Sequence, residues 1–423
     1  MSVRALPAAG ARGGFAPSRG LAAWLALLVA LMIVGALAFI YQFANGLIVT
    51  GMRNTVMWGQ YILFFMFFIG LSAGGLIVAS AGRLFGVQTF KPITRLAVLE
   101  ATVAVMLAGI FILPDLGRPE RVLNILLHPN FTSPMIWDIT IVLIYTAMSM
   151  TYVWLYARAD LARRGSILAF GTGTSEREIA RDERIKSRMA WVALPSAILL
   201  HSITAWIFGL QISRGFWYSA IMAPLFIASA LVSGLALVIL LALAVRRLGK
   251  LDFGDELVAF LGGLLGVFIA VEAFFVGAEF LTAAYPGAPD EAGPIARLLV
   301  GPYAPLFWIE ILVGLGVPFL ILAVRRTRTN PRWVALAAVI AIVGIFIHRL
   351  NLILNGLSYA PIGIEPGVSI GVWQGPTASS FAMSHWYVPT IVEWLVVVGI
   401  LAFGALLFTL AVAFLPMREP ADH

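Results

Sequence analysis

The chain has 423 residues, of which 61% are hydrophobic and only 12% are charged, and its mean hydropathy is +0.96. Because a soluble domain carries about 25% charged residues, this composition excludes a water-soluble globule and predicts an all-α polytopic membrane protein. The absence of cysteine excludes disulfides, thiolate zinc sites, iron–sulfur clusters ligated by the chain itself and a cysteine nucleophile. The net charge of +7 points either to nucleic acid or to membrane topology.

Ten apolar runs are each long enough to cross a bilayer, which takes about 20 residues. They cover residues 21–43, 57–84, 93–113, 136–156, 191–211, 216–245, 256–283, 304–324, 333–355 and 388–415. The first run follows three arginines, but its apolar core exceeds the roughly 7–15 residues of a signal peptide, so we interpret it as a retained helix. The sequence thus predicts a ten-helix membrane domain over 21–415, between short tails at 1–20 and 416–423.

The basic residues predict the orientation of this domain. Of the 28 lysines and arginines, 22 lie in the N-terminal tail, the C-terminal tail and the loops after helices two, four, six and eight. By the positive-inside rule we expect these segments and both termini to be cytoplasmic. The membrane topology therefore accounts for the excess of positive charge. The segment 158–188 mixes both signs of charge, which favours an ordinary cytoplasmic loop over a nucleic-acid interface.

The two halves of the domain share a pattern. Helix four opens with Pro134 and Trp137, and helix eight opens with Pro305 and Trp308. A glutamate precedes the first proline by 34 residues and the second by 33. This spacing favours parallel repeats over about 57–211 and 216–355, that is, two four-helix bundles plus two extra helices. The alternative is that Pro-x-x-Trp simply begins helices at a membrane interface.

Two outer loops contain candidate functional features. The loop after helix three places Asp115 and Arg118 among prolines at the outer surface, where the two side chains are expected to pair. The loop at 356–387 has no lysine or arginine and many glycines and prolines. We expect this second loop either to cover the outer end of the helix bundle or to be a simple connector.

Ionisable side chains inside the spans are costly and indicate function by default. They share a position in the outer half or near the midplane, at depths of about 6–21 Å below the outer surface. The set consists of Glu100, Glu272, Glu279, Glu310, Glu393, His201, His348 and Arg349, with Asn351 on the His348 face. A single member of such a set is often only an interhelical tie. The whole one-sided set favours a site.

Several chemistries can be weighed against this set. Two intramembrane histidines, His201 and His348, allow at most one bis-histidine haem, and close His/Glu metal spacing is absent. The GLSAGG segment at 70–75 predicts close helix packing rather than phosphate binding. A quinol head group fits better, because it needs polar partners for two oxygens, an apolar slot for its tail and groups that exchange protons.

Short motifs in order along the chain resemble the NrfD/polysulfide reductase family of membrane subunits. They are GLSAGG (70–75), DLGRP (115–119), SPMIWD (133–138), LHSITAWIFGLQ (200–211), FWIE (307–310), HRLNLILNGLS (348–358) and YVPTIVE (387–393). The later motifs look like the ten-helix branch found in respiratory hydrogenases and Dsr-type complexes. The resemblance covers helices two to ten.

That resemblance implies a haem-free subunit that binds menaquinone or ubiquinone. It implies electron exchange with an outer-face iron–sulfur subunit of the four-cluster ferredoxin type, and beyond it further catalytic or cytochrome subunits. The expected quinone pocket is made by His201, Glu279, Arg349, Asn351 and His348, with Glu310 and Glu393 at its mouth. Glu100 and Glu272 are expected on a proton path, and Asp115, Arg118 and Asp138 beneath the docked partner. No metal site and no nucleic-acid partner are expected.

Two alternatives from other classes stay open at this point. Repeats and midplane glutamates also suit a secondary transporter or another ion-translocating subunit. A purely structural anchor would carry the same helices with polar groups that no longer act. Co-purification with an iron–sulfur protein would separate a quinone subunit from a transporter that works alone.

Overall fold

A computed structural model describes residues 18–53, 56–170, 175–358, 387–415 and 417. Within these ranges the chain is helical and has no strand. Ten of the described helices are long and apolar enough to cross a membrane, which confirms the predicted fold class and count. The predicted cover at 356–387 and the two tails lie largely outside the described residues.

The spans follow one another in chain order. They are α1 (Arg19–Asn45), α2 (Gln60–Leu84), α3 (Gln88–Asp115), α4 (Pro134–Arg163), α5 (Glu176–Gly209), α6 (Met222–Arg247), α7 (Asp255–Ala284), α8 (Ala304–Ala323), α9 (Pro331–Ser358) and α10 (Ile391–Phe414). A short helix, Pro289–Leu299, lies in the connection between α7 and α8.

The spans pack as two rings of four helices. In the first ring α2 contacts α3 and α5, and α4 closes the ring against the same two helices. In the second ring α6 contacts α7 and α9, and α8 packs on both of those. The rings meet where α2 packs along α6. Outside the rings, α1 packs against α10, and α10 also contacts α3. The internal repeat itself stays a prediction.

Glycines set the distance between the rings. A Cβ on Gly74 of α2 would lie 2.4 Å from the Ala230 carbonyl oxygen and 2.5 Å from the Cα of Gly234 on α6. Real side chains do not approach backbone this closely, so only glycine permits the contact. Small residues allow such backbone approach between membrane helices. The close packing predicted for the GLSAGG segment is therefore confirmed.

The segment 158–188 contains more helix, in its described residues, than the loop that its composition suggested. Helix α4 continues to Arg163, and α5 begins at Glu176 rather than near Trp191. Ser175 starts α5 through a capping box with Glu178. Farther along, Arg158 pairs with Asp182 at 3.1 Å, with both side chains buried. The mixed charges therefore tie two extended helices together.

Candidate functional site

The centre of the site is a buried carboxylate between α8 and α9. Glu310 is 2% exposed, and its two oxygens accept hydrogen bonds from two residues of α9. His348 donates from Nδ1 at 2.8 Å, and Asn351 donates from Nδ2 at 2.7 Å. His348 and Asn351 are three residues apart on α9, so one helix face presents both to the same carboxylate. The face of α9 that carries His348 and Asn351 therefore contacts Glu310.

The backbone around Glu310 departs from the α-helix. Residues Ile309–Gly316 of α8 form a π-helix, and Glu310 lies in its first turn. Gly314 in this segment packs on Gly344 of α9, where a Cβ would come within 2.5 Å of the partner Cα. Single-turn π segments occur preferentially at functional sites, because the extra residue redirects side chains.

A small cavity lies beside this cluster. It measures about 30 Å³ and is lined by Glu279 of α7 together with Glu310, His348 and Asn351. Glu279 accepts a hydrogen bond from the Ser219 hydroxyl at 2.7 Å. The rest of the lining is apolar and aromatic, so the polar atoms are concentrated on one side of the cavity. Three of the predicted pocket residues are therefore brought together with Glu310.

Arg349 and Glu272 are also buried near the cluster but do not line the cavity. The Arg349 guanidinium lies 3.6 Å from the centre of the Phe226 ring and donates from Nη2 to the Ser229 hydroxyl. Arg349 is close enough to Glu272 and Glu310 for their charges to interact. Both oxygens of Glu272 lack a hydrogen-bond partner within the described part of the chain. A cation over an aromatic face and near two carboxylates is held in place without direct ion-pair contact.

His201 and Glu100 occupy separate positions in the first ring. His201 of α5 bonds through Nδ1 to the carbonyl oxygen of Ala197 at 3.2 Å, and Nε2 has no described partner. Glu100 of α3 is buried against α2, where a Cβ on Gly75 would reach 2.0 Å from its Oε2. Neither residue is in the set that lines the cavity. The structure therefore groups six of the predicted residues around or beside the cavity and leaves these two apart.

Glu393 does not lie at the mouth of this cavity. It is 0% exposed and caps the N-terminus of α10, where it accepts bonds from the Thr390 backbone and hydroxyl. The Gly51 amide and the Tyr387 hydroxyl also donate to it, each at 2.6 Å. Burial raises the pKa of the Tyr387 hydroxyl, and the Glu393 charge raises it further. The bond from Gly51 joins the start of α10 to the segment before α2, so Glu393 has a structural position.

The three predicted docking residues differ in exposure. Asp138 is 2% exposed and accepts a bond from the Thr204 hydroxyl at 2.5 Å, so it ties α4 to α5 and is not on the outer surface. The expected pair between Asp115 and Arg118 is wrong. Arg118 lies 3.7 Å from Glu120 instead, because both of those side chains point to solvent while Asp115 Oδ1 is buried.

Sequence reasoning missed the uncharged polar partners. Ser219 and Ser229 complete the contacts of Glu279 and Arg349, and Tyr61 donates to Gln42 at 2.6 Å beneath the outer loop. Ionisable residues stand out in an apolar helix, whereas serine and tyrosine are common there. The two glutamines, Gln42 and Gln60, were detectable, since each lies at a span end that is otherwise apolar.

The family model described as Polysulphide reductase, NrfD matches residues 48–361. The chain belongs to the NrfD family. It is 38% identical over 400 residues to a candidate membrane subunit of dimethyl sulfoxide reductase from Halobacterium salinarum, covering 94% of this chain and 92% of that protein. The matched segment contains every residue of the cavity cluster, so the site lies within the family domain.

Two other relatives cover nearly the whole NrfD-family chain. The Hdr-like menaquinol oxidoreductase integral membrane subunit of Archaeoglobus fulgidus is 26% identical, over 93% of this chain and 94% of that protein. A protein named as a candidate b-type cytochrome subunit of Ni/Fe-hydrogenase 2 from Escherichia coli is 25% identical, over 89% of this chain and 88% of that protein. Together with the ten spans, these matches establish a multi-pass membrane protein.

Proposed function

We propose that this chain is the quinone-binding membrane subunit of a respiratory oxidoreductase complex, with the head group held between α7, α8 and α9. The family membership and the menaquinol oxidoreductase subunit among its relatives support the reaction class. The observation that carries the location is a pair of buried polar atoms facing one cavity. His348 Nε2 and Asn351 Oδ1 have no hydrogen-bond partner within the described ranges.

These two atoms fit a hydroquinone. With Nδ1 donating to Glu310, the neutral His348 ring presents Nε2 as an acceptor, and the Asn351 amide oxygen is a second acceptor. Hydroquinone hydroxyls are donors, and a buried acceptor without a partner costs about 1–3 kcal/mol. When a quinone is bound, it supplies the two-electron chemistry that the side chains cannot.

The size of the cavity indicates how a ring would enter. At about 30 Å³ it has room for water but not for a quinone ring. The Phe280 and Phe307 rings stack at 4.8 Å and form part of its wall. The same pair lines a lipid-facing groove of about 590 Å³ on the other side. Moving this aromatic pair would join the cavity to the groove, which would then hold the prenyl tail.

The ionisable groups around the cavity have distinct roles in this proposal. His348 accepts a proton at Nε2, and the Glu310 carboxylate on its other nitrogen stabilises the resulting imidazolium. Glu279 receives the second proton at the outer end of α7. Glu272 lies close enough to His348 and Arg349 for their charges to interact, and it continues a proton path. Glu100 is its proposed counterpart in the first ring.

The remaining parts of the proposal concern the setting of the subunit. The basic residues support cytoplasmic termini in the inner membrane, which puts the cavity in the outer half. An outer-face iron–sulfur subunit of the four-cluster ferredoxin type then takes the electrons and passes them to a catalytic or cytochrome partner. We propose that the chain itself holds no haem and no iron–sulfur cluster. The absence of cysteine from the sequence supports the absence of an iron–sulfur cluster.

The test compares two glutamates of α7. Glu279→Gln keeps the volume of the side chain and its bond from Ser219 but removes the base, so quinol oxidation by the purified complex should fall about 10²-fold or more. Glu256→Gln changes an exposed glutamate in the first turn of the same helix and should leave turnover unchanged. Both variants should assemble normally. Equal turnover in the two variants would place the quinone elsewhere.

A further inference from the structure

A second groove lies on the membrane-facing side of α7 and α8, toward the end of α8 that carries arginines. It has a volume of about 550 Å³ and a lining that is apolar except at one end. The α7 residues that line it extend from Gly263 to Phe275, which is about 18 Å of helix. One leaflet of a bilayer has a hydrocarbon depth of about 15 Å. The groove therefore has the length of one acyl chain and ends near the midplane.

The polar end of the groove is Arg328. Its side chain lies along α7 at two consecutive glycines, where a Cβ on Gly262 would be 3.4 Å from Cγ and a Cβ on Gly263 would be 3.6 Å from Cδ. Helix α8 ends at Ala323, Val324 is extended, and a short helix presents Arg328 back toward α7. The Thr327 hydroxyl bonds to the carbonyl oxygens of Ile321 and Val324, which braces this turn.

The charge at this end is not neutralised. Arg325, Arg326 and Arg332 accompany Arg328, and no acidic residue occurs between positions 311 and 364. Across the described ranges none of these four arginines forms an ion pair, whereas Arg246 at the end of α6 is paired with Asp255 at 2.6 Å. A guanidinium with free donors at a membrane boundary is suited to the bidentate binding of a phosphate.

We propose that this groove binds an anionic phospholipid, with its phosphate on Arg328 and one acyl chain between α7 and α8. The charge at one end and the one-leaflet length together select this occupant. Basic pockets between membrane helices bind anionic head groups in this way. A quinone is uncharged and has no group for an unpaired arginine, so it is a poorer match for this end of the groove.

The experiment is native mass spectrometry of the purified full-length chain with phosphatidylglycerol or phosphatidylcholine of the same acyl composition. The wild type should retain phosphatidylglycerol about tenfold better, because both lipids carry the phosphate but the choline cation of phosphatidylcholine neutralises it and is repelled by Arg328. Arg328→Gln should abolish this preference, while Arg332→Gln, which changes an arginine outside the groove, should keep it. Val267→Trp fills the groove without altering charge and should weaken the binding of both lipids.

Several outcomes would overturn the proposal. Equal retention of the two lipids by the wild type would show that the arginine does not select the head group. Unchanged preference in Arg328→Gln would place the phosphate on another residue. Displacement of the lipid by inorganic phosphate would indicate a free-anion site, and displacement by menaquinone would assign the groove to a quinone tail.

Discussion

Replacement of Glu310 separates the proposed role of this carboxylate in proton transfer from its structural contribution. Glu310→Ala removes the acceptor of two buried donors, the His348 Nδ1 at 2.8 Å and the Asn351 Nδ2 at 2.7 Å. Each buried group left without a partner costs about 1–3 kcal/mol, so the alanine variant should lose about 2–6 kcal/mol. We expect less assembled protein in the membrane and almost no turnover.

Glu310→Gln keeps the volume and can satisfy both neighbours. Its amide oxygen accepts from Asn351, and its NH₂ group donates to His348 Nδ1 once the imidazole changes tautomer. His348 Nε2 then carries a hydrogen and no longer accepts one from a hydroquinone, and the charge that stabilised the imidazolium is gone. Turnover should fall about 10²–10⁴-fold, while the amount of assembled complex stays near that of the wild type.

The assay is quinol oxidation per assembled complex, with assembly measured by immunoblotting of membranes and by thermal unfolding in detergent. Glu256→Gln, an exposed α7 variant, is the control for loss of one carboxylate. If Glu310→Gln oxidised quinol as fast as this control, the dyad of Glu310 and His348 would have no part in proton transfer. If the alanine variant were as stable as the glutamine variant, the two hydrogen bonds would contribute nothing to folding.

Three further predictions concern the tail, the partner and the topology. Gly277→Trp fills the lipid-facing groove, where no atom lies within 4 Å of the new Cβ, and should slow a long-tailed menaquinol more than a tail-less naphthoquinol. Gly109→Trp, equally open, should affect both alike; no difference between the variants would place the tail elsewhere. Arg118→Glu sets like charges beside Glu120 and should reduce co-purification of the iron–sulfur subunit without lowering the amount of this chain. A reporter fused after residue 170 should read cytoplasmic and one after residue 370 external.

Most of the fold was predictable because a bilayer imposes one solution on an apolar sequence. Backbone groups must be satisfied within each span, so long apolar runs become helices and their number can be counted. The limits of the spans were less predictable where polar residues continue a helix beyond the membrane. At Glu176 a capping box and ion pairs extend α5 by several turns, and hydropathy does not report those contacts.

The residues of the candidate site could be proposed from the sequence, but their hydrogen-bond pairings could not. His348 and Asn351 were expected together from their spacing on one helix. The contacts of Glu310 with both residues join α8 to α9, and the π-helix of α8 in which Glu310 lies has no sequence signal of its own. Asp138 and one oxygen of Asp115 are buried for a related reason: a residue at a span end can point inward or outward, and tertiary packing decides which.

The two polar clusters suit different tasks because they differ in which of their atoms still lack hydrogen-bond partners. Around the loop after α3, Tyr61 donates to Gln42, Gln42 donates to the Pro114 carbonyl at 2.7 Å, and Glu393 accepts from the Gly51 backbone. These bonds run between α1, α2, α3 and α10 and hold the loop after α3 in one place. A surface on which a redox partner docks benefits from that rigidity, since electron transfer requires a fixed distance. The cluster of α8 and α9 instead leaves acceptors open toward a cavity beside the lipid. That is where we expect the exchange of protons with a membrane-soluble carrier.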